Sequence, residues 1–118
     1  AATTALANVR GRVWFLAQDR DGCREVQLAL DCEPTSEVLP SIGLELVGHV
    51  AKAMRDPHAN HVLQKFISVG KPDDSQFIID ELMERRTLVP QATRHRYGCR
   101  IMQHLLKRCR QDQMAGAV

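Results

Sequence analysis

The sequence predicts an all-α protein, a right-handed α-solenoid built from three-helix repeats. Three observations predict it: a threefold internal repeat, a helical spacing of apolar residues within each copy, and an aromatic content of 4%, too low for a sheet-based stacking platform. The repeat is plainest in one element. Asp19 to Gln27 (DRDGCREVQ) lines up with Asp56 to Gln64 (DPHANHVLQ) and with His95 to Gln103 (HRYGCRIMQ), so that Cys23, Asn60 and Cys99 follow one another at 37 and 39 residues. Upstream, Val13, Val50 and Val89 share one register; downstream, Ala29/Leu30, Phe66/Ile67 and Leu105/Leu106 share another. A unit of this length cannot bury its apolar stripe alone, so consecutive units must stack. The chain is expected to be one partial repeat domain over residues 1–118, with units at about 10–36, 37–75 and 76–118.

Taken in order, Ala1 to Arg10 reads as the tail of an outer helix or a cap, and Val13 to Gln18 as the short leading helix of unit one. Its motif helix follows from Asp19. Thr35 or Ser36 is the expected N-cap of an outer helix that Pro40 cuts short. In unit two, Leu46 to Arg55 is the leading segment, and a helix starting near Pro57 carries Val62, Leu63, Phe66 and Ile67 as one apolar stripe. Asp73-Asp74-Ser75-Gln76 reads as a capping box, with Asp73 as N-cap and Gln76 at N3, opening a helix through Phe77, Ile78, Ile79, Leu82 and Met83. Unit three leads with Val89 to Arg94, where Pro90 is tolerated only near the first helical position. Ile101, Met102, Leu105 and Leu106 repeat the stripe, and Gln111 to Val118 begins one more helix. Trp14 and Phe15 are expected to pack within the protein, and His49, His95 and His104 to lie on the surface or between units.

Composition bounds the function. With 118 residues, 44% hydrophobic and 25% charged, the chain is of ordinary globular composition. No run approaches the length of a membrane span, and Ala1 to Arg10 lacks the basic and apolar regions of a secretory signal. A chain beginning at Ala1 is expected to be a piece of a longer one. Cys23, Cys32, Cys99 and Cys109 form no C-x-x-C pair, which predicts free thiols in a reducing compartment and no metal site. His58 and His61 stand at i, i+3 with no second pair to complete a site. Neither a phosphate-binding glycine loop nor a nucleophile elbow nor H-E-x-x-H occurs, so no enzyme, cofactor or small-molecule substrate is expected. The net charge of +2 is uneven: residues 1–36 hold 4 Lys/Arg against 5 Asp/Glu, 37–75 hold 4 against 5, and 76–118 hold 8 against 4. The cluster Arg94, Arg96, Arg100, Lys107, Arg108 and Arg110 is either a solvated face or a phosphate track.

The polar residues common to the three elements lie off the apolar stripe. Cys23/Gln27, Asn60/Gln64 and Cys99/Gln103 are i, i+4 pairs that stand above one another on a helix face. Arg24, His61 and Arg100 follow the first of each pair and point about 100° away along the same surface. Each helix thus offers two groups that can touch an edge and one flat group that can stack, at a regular interval. Single-stranded nucleic acid matches that pattern.

Gly-Cys-Arg-x-x-Gln in units one and three and Asn-His-Val-Leu-Gln-Lys in unit two resemble the RNA-binding helices of Pumilio-homology (PUF) repeats, over roughly residues 10–110. The resemblance implies one base read per repeat by single-stranded RNA binding on a concave surface. Cys23 with Gln27 implies adenine, Asn60 with Gln64 uracil, and Cys99 with Gln103 adenine, a 5′-AUA-3′ core, with Arg24, His61 and Arg100 stacking between bases. Lys65, Arg96 and His104 are the expected phosphate contacts. It further implies post-transcriptional control of an mRNA through its untranslated region, with effector proteins on the convex face, in the cytoplasm or nucleolus. The other reading is a helical-repeat scaffold that binds protein segments and no RNA. Several positions depart from the family pattern: Asp21, Glu25 and Leu28 in unit one, Ala59 in place of glycine in unit two, and Pro90 in unit three.

Overall fold

The computed structural model describes residues 2–32 and 37–115, so the expected cap at Thr35 or Ser36 lies outside the described residues. Every regular element among them is helical. Outer helices α1 (Ala2–Val9), α4 (Val38–Leu46), α7 (Gln76–Met83) and α10 (Gln111–Met114) alternate with leading helices α2 (Val13–Ala17), α5 (Val50–Ala53) and α8 (Leu88–Arg94). The motif helices are α3 (Arg20–Cys32), α6 (Ala59–Val69) and α9 (Gly98–Arg108). α6 packs between α3 and α9, and the stack is 40 Å long against 19 Å in its thinnest direction. This is the α-solenoid that the repeat predicts.

The motif helices align because each presents the same buried stripe to its neighbours: Val26, Ala29 and Leu30 on α3, Val62, Leu63, Phe66 and Ile67 on α6, Ile101, Met102 and Leu105 on α9. Leu106 breaks the expected pattern at 56% exposed, whereas its counterpart Ile67 is buried. The short α10 reaches α7 through Met114, and nothing described beyond α9 covers Leu106 as the third unit covers Ile67. Phe15 also departs from expectation: it is 73% exposed on α2, while Trp14 next to it stacks on His49 of the following unit at 4.4 Å. On a helix this short, only one side can face the stack.

Close approach sets how each leading helix meets its motif helix. A β-carbon on Gly22 would stand 2.5 Å from the Leu16 carbonyl oxygen, and one on Gly98 would stand 2.7 Å from that of Ala92. Unit two carries Ala59 at this place, and there α5 stops at Ala53, one residue earlier in register than α2.

Several sequence expectations shift in the structure. Pro40 does not cut α4 short; it is the third residue of a helix that runs to Leu46, where its missing N–H is one of those left unbonded in any first turn. Pro90 stands likewise third in α8. The expected leading segment Leu46 to Arg55 is divided, because Leu46 closes α4 and the turn at Gly48 precedes α5. Asp73 is not an N-cap. Pro72–Ser75 instead form a 3₁₀ turn in which the Asp74 carboxylate accepts the Lys71 N–H at 2.8 Å, and α7 begins after it.

Two glutamates tie successive units together. Glu45 on α4 accepts the N–H groups of Gly11 at 2.8 Å and Val13 at 3.0 Å, and Glu81 on α7 accepts those of Gly48 at 2.8 Å and Val50 at 3.3 Å. Gly11 and Gly48 sit at φ +82° and +86°, a left-handed turn that glycine adopts without penalty. The outer helix of one unit thereby satisfies the N–H groups opening the leading helix before it. Hydrogen bonds to a charged partner contribute about 1.5–3 kcal/mol, so Glu81→Ala is expected to destabilise the stack by about that much in urea denaturation. A loss within about 0.5 kcal/mol, the usual range for a surface change, would mean that water replaces the carboxylate.

Candidate nucleic-acid interface

Each motif helix starts under a side-chain cap placed four residues before the first edge residue. Asp19 accepts the N–H groups of Asp21 and Gly22 at 3.1 and 2.7 Å, and Asp56 those of His58 and Ala59 at 2.8 and 2.9 Å. In unit three His95 does the same for Tyr97 and Gly98 through Nδ1, at 3.1 and 3.3 Å, which places its proton on Nε2. These caps fix the first turn that carries the candidate readers. The repeat alignment contains them, and their shared register is the signal that identifies them.

The first edge position bonds back to a carbonyl of its own first turn in all three units. The Cys23 thiol donates to the Arg20 carbonyl at 3.2 Å, the Cys99 thiol to that of Arg96 at 3.4 Å, and Asn60 Nδ2 to that of Asp56 at 2.7 Å. Burial raises the Cys23 thiol above its ordinary pKa, with the Gln27 hydrogen bond opposing, so it stays a neutral donor. Asn60 is 0% exposed, which the sequence does not announce for a polar residue off the apolar stripe. Its orientation follows from chemistry. The Asp56 carbonyl can only accept, so Asn60 must turn its NH₂ there and its Oδ1 outward, where Gln64 Nε2 donates to it at 2.9 Å. Asn60 thus sets the Gln64 amide with its oxygen free.

The fifth position is more open. Among the described residues Gln27 Nε2 makes only a 3.8 Å contact to Cys23 Sγ, and Gln103 is exposed on α9. Arg24, His61 and Arg100 are all exposed, and among the described residues none makes an ion pair. The three expected phosphate contacts differ from one another. Lys65 pairs with Asp31 of α3 at 3.0 Å, Arg96 lies 4.7 Å over the Tyr97 ring and bonds its hydroxyl, and His104 is half-buried. The basic cluster of unit three is also divided: Arg110 pairs with Asp73 at 2.8 Å and Arg108 donates to the Gly70 carbonyl at 3.3 Å, both stapling the end of unit three to the preceding unit. Among the described residues no three His, Cys, Asp or Glu side chains converge as metal ligands, and no helix is long and apolar enough to cross a membrane.

A profile of the Pumilio-family RNA binding repeat matches residues 49–83, which hold α5, α6 and α7, and residues 93–115, which hold α9 and α10. This chain belongs to the Pumilio repeat family. The chain is 28% identical to the putative pumilio homolog 7, chloroplastic, of Arabidopsis thaliana over 96% of its own length and 17% of that protein. It is 33% identical to suppressor protein MPT5 of Saccharomyces cerevisiae over 76% of its length and 10% of that protein. Among solved structures, PUF-8 in complex with PBE-RNA superposes on 95% of this chain with a TM-score of 0.89 and 27% identity, over 32% of that chain. The Puf3 RNA binding domain bound to a 3′ UTR recognition sequence superposes with a TM-score of 0.88 and 27% identity, over 98% of this chain and 32% of that one. The chain therefore spans less than a fifth of these curated relatives and about a third of the solved domains.

Proposed function

We propose that this chain binds single-stranded RNA through the exposed faces of α3, α6 and α9, one base to each unit, as part of a longer repeat domain that controls an mRNA after transcription. One observation carries the reading: an amide and a flat cationic or imidazole group recur at the same two places on three helices packed side by side, and among the described residues no ion pair occupies the flat groups. Relatives in the same family are solved with RNA, which supports it. Gln27 and Gln103 each offer a donor and an acceptor to an adenine edge beside a small thiol. Gln64, turned by Asn60, offers its oxygen to the N3–H of uracil. Cytosine has no proton there, so the oxygen and nitrogen lone pairs would face each other.

The expected core is 5′-AUA-3′. Stacking contributes about 1–3 kcal/mol per base, so the three units alone bind weakly and the measurement needs direct titration at high protein concentration. An unsatisfied polar group costs about 1–3 kcal/mol, which sets the expected preference for an RNA containing AUA over one containing ACA at roughly 5- to 150-fold. Equal affinity for the two would remove the uracil assignment to Gln64 and Asn60.

A further inference from the structure

An open cleft of about 590 Å³ lies on the side of α8 turned away from α9, lined by Arg55, Arg86, Thr87, Gln91 and Arg94 among others. Leu88 and Ala92, on the opposite side of the helix, are buried, so the cleft lies across the stack from the exposed Arg24, His61, Arg100 and Gln103. Three guanidinium groups line it and, among the described residues, no carboxylate does. None of the three makes an ion pair with a described residue. Two of them are held in place. Arg94 Nε donates to the Pro90 carbonyl at 3.3 Å, which turns this side chain back toward the start of α8. Arg55 reaches across from unit two and donates to the side-chain oxygen of Gln91. Thr87 stands one turn before Gln91 and two before Arg94 on the same side, with Arg86 next to it in the chain.

Thr87 offers this cleft a hydroxyl that caps no backbone group. Residues 84–87 are all exposed and lie between α7 and α8, outside any helix, so an enzyme can reach them. Arg85 and Arg86 immediately precede Thr87, a charge pattern that suits a protein kinase with an acidic substrate groove. We propose that Thr87 is a phosphorylation site whose phosphate is held by Arg55, Arg86 and Arg94. The γ-phosphoryl group of ATP passes to Thr87 Oγ. The new P–O bond forms there, the bond from the γ-phosphorus to the β–γ bridging oxygen breaks, ADP leaves with that electron pair, and the hydroxyl proton goes to the base of the kinase. The product carries a charge of about −1.5 to −2 and three acceptor oxygens, and guanidinium forks match such oxygens. Arg55 belongs to unit two and Arg86 and Arg94 to unit three, so the phosphate joins the two units from the side away from α6 and α9. The inference stands apart from the RNA reading and leaves the exposed faces of the motif helices open.

The test has two arms, both on the 118-residue chain. In the first, the folded chain is incubated with ATP and an arginine-directed protein kinase, and the modified residue is read by mass spectrometry. Phosphate is expected on Thr87, and Thr87→Val should lose it. No phosphate on Thr87, or phosphate on other hydroxyls alone, overturns the site. In the second arm, phosphothreonine is placed at position 87 during translation and its titration is followed by phosphorus NMR. The second phosphate pKa, ordinarily about 6, is expected about one pH unit lower than in the same chain unfolded in urea, because nearby cations favour the dianion. The melting temperature at neutral pH should rise above that of the unmodified chain. Arg55→Gln, Arg86→Gln and Arg94→Gln together should abolish both shifts, and Arg86→Gln alone, which breaks no hydrogen bond found in the described residues, should reduce them. An unshifted titration and an unchanged melting temperature would show the phosphate in open solvent and overturn its capture by the cleft. The preference for AUA over ACA is measured separately, so failure of either arm leaves base reading standing.

Discussion

Replacing Arg24 and Arg100 with alanine is expected to weaken RNA binding by about 30-fold or more while leaving the thermal unfolding of the chain nearly unchanged. Each side chain stands on an exposed face, with no carboxylate among the described residues to hold it, and each lies beside the amide that reads an edge. A guanidinium plane between two bases adds dispersion and cation–π attraction to both. With about 1 kcal/mol or more lost at each of two positions, the combined effect reaches about 2 kcal/mol. Exposed residues without internal bonds usually alter stability by no more than about 0.5 kcal/mol, so binding and folding separate cleanly. Fluorescence anisotropy with a short labelled RNA, beside a melting curve, checks both. RNA retained at wild-type affinity would rule out stacking by these residues. A protein segment still bound by the double variant, with no RNA response in the wild type, would establish the scaffold reading instead.

Phe66→Ala is expected to produce the largest loss of stability, about 3–5 kcal/mol, read from the denaturant midpoint at constant m. Phe66 is 1% exposed on α6 and meets Phe77 of α7 edge to face, with ring centroids 5.5 Å apart and planes at 84°. Gly43 on α4 makes room for it: a β-carbon there would stand 3.1 Å from Phe66 Cζ. One ring therefore joins the outer helices on either side of the second motif helix. In a stacked repeat protein stability resides in such nearest-neighbour interfaces, and a chain of this size has only about 5–15 kcal/mol in total. A loss below about 1.5 kcal/mol would mean that the neighbouring side chains collapse into the space and that the joint lies elsewhere.

Much of this was legible in the sequence because a repeat states each constraint three times. The stripe Val62, Leu63, Phe66, Ile67 and its counterparts mark the buried side of the motif helices, and the off-stripe Arg24, His61 and Arg100 are indeed exposed. What escaped depends on neighbours distant in sequence. Glu45 and Glu81 look like ordinary surface acids until Gly11 and Gly48, more than thirty residues earlier, are seen to donate to them. Pro40 reads as a helix breaker by its chemistry alone, yet its effect depends on where the helix begins, and the Val38 start puts it in the first turn. Arg55 and Gln91 belong to different units, and only stacking makes them face one cleft.

Periodicity along one chain is enough to set the helical class, the spacing of the motif helices and the face that carries the amides. Which of those polar residues point outward is settled only by packing. Asn60 and Gln64 stand one helical turn apart on α6, but the capped turn at Asp56 offers a carbonyl that only an inward-turned amide can satisfy. Asn60 is therefore committed to orienting Gln64, and its neighbour meets the solvent. A buried acceptor demands a donor wherever the fold happens to place one, and that demand is not written in local spacing.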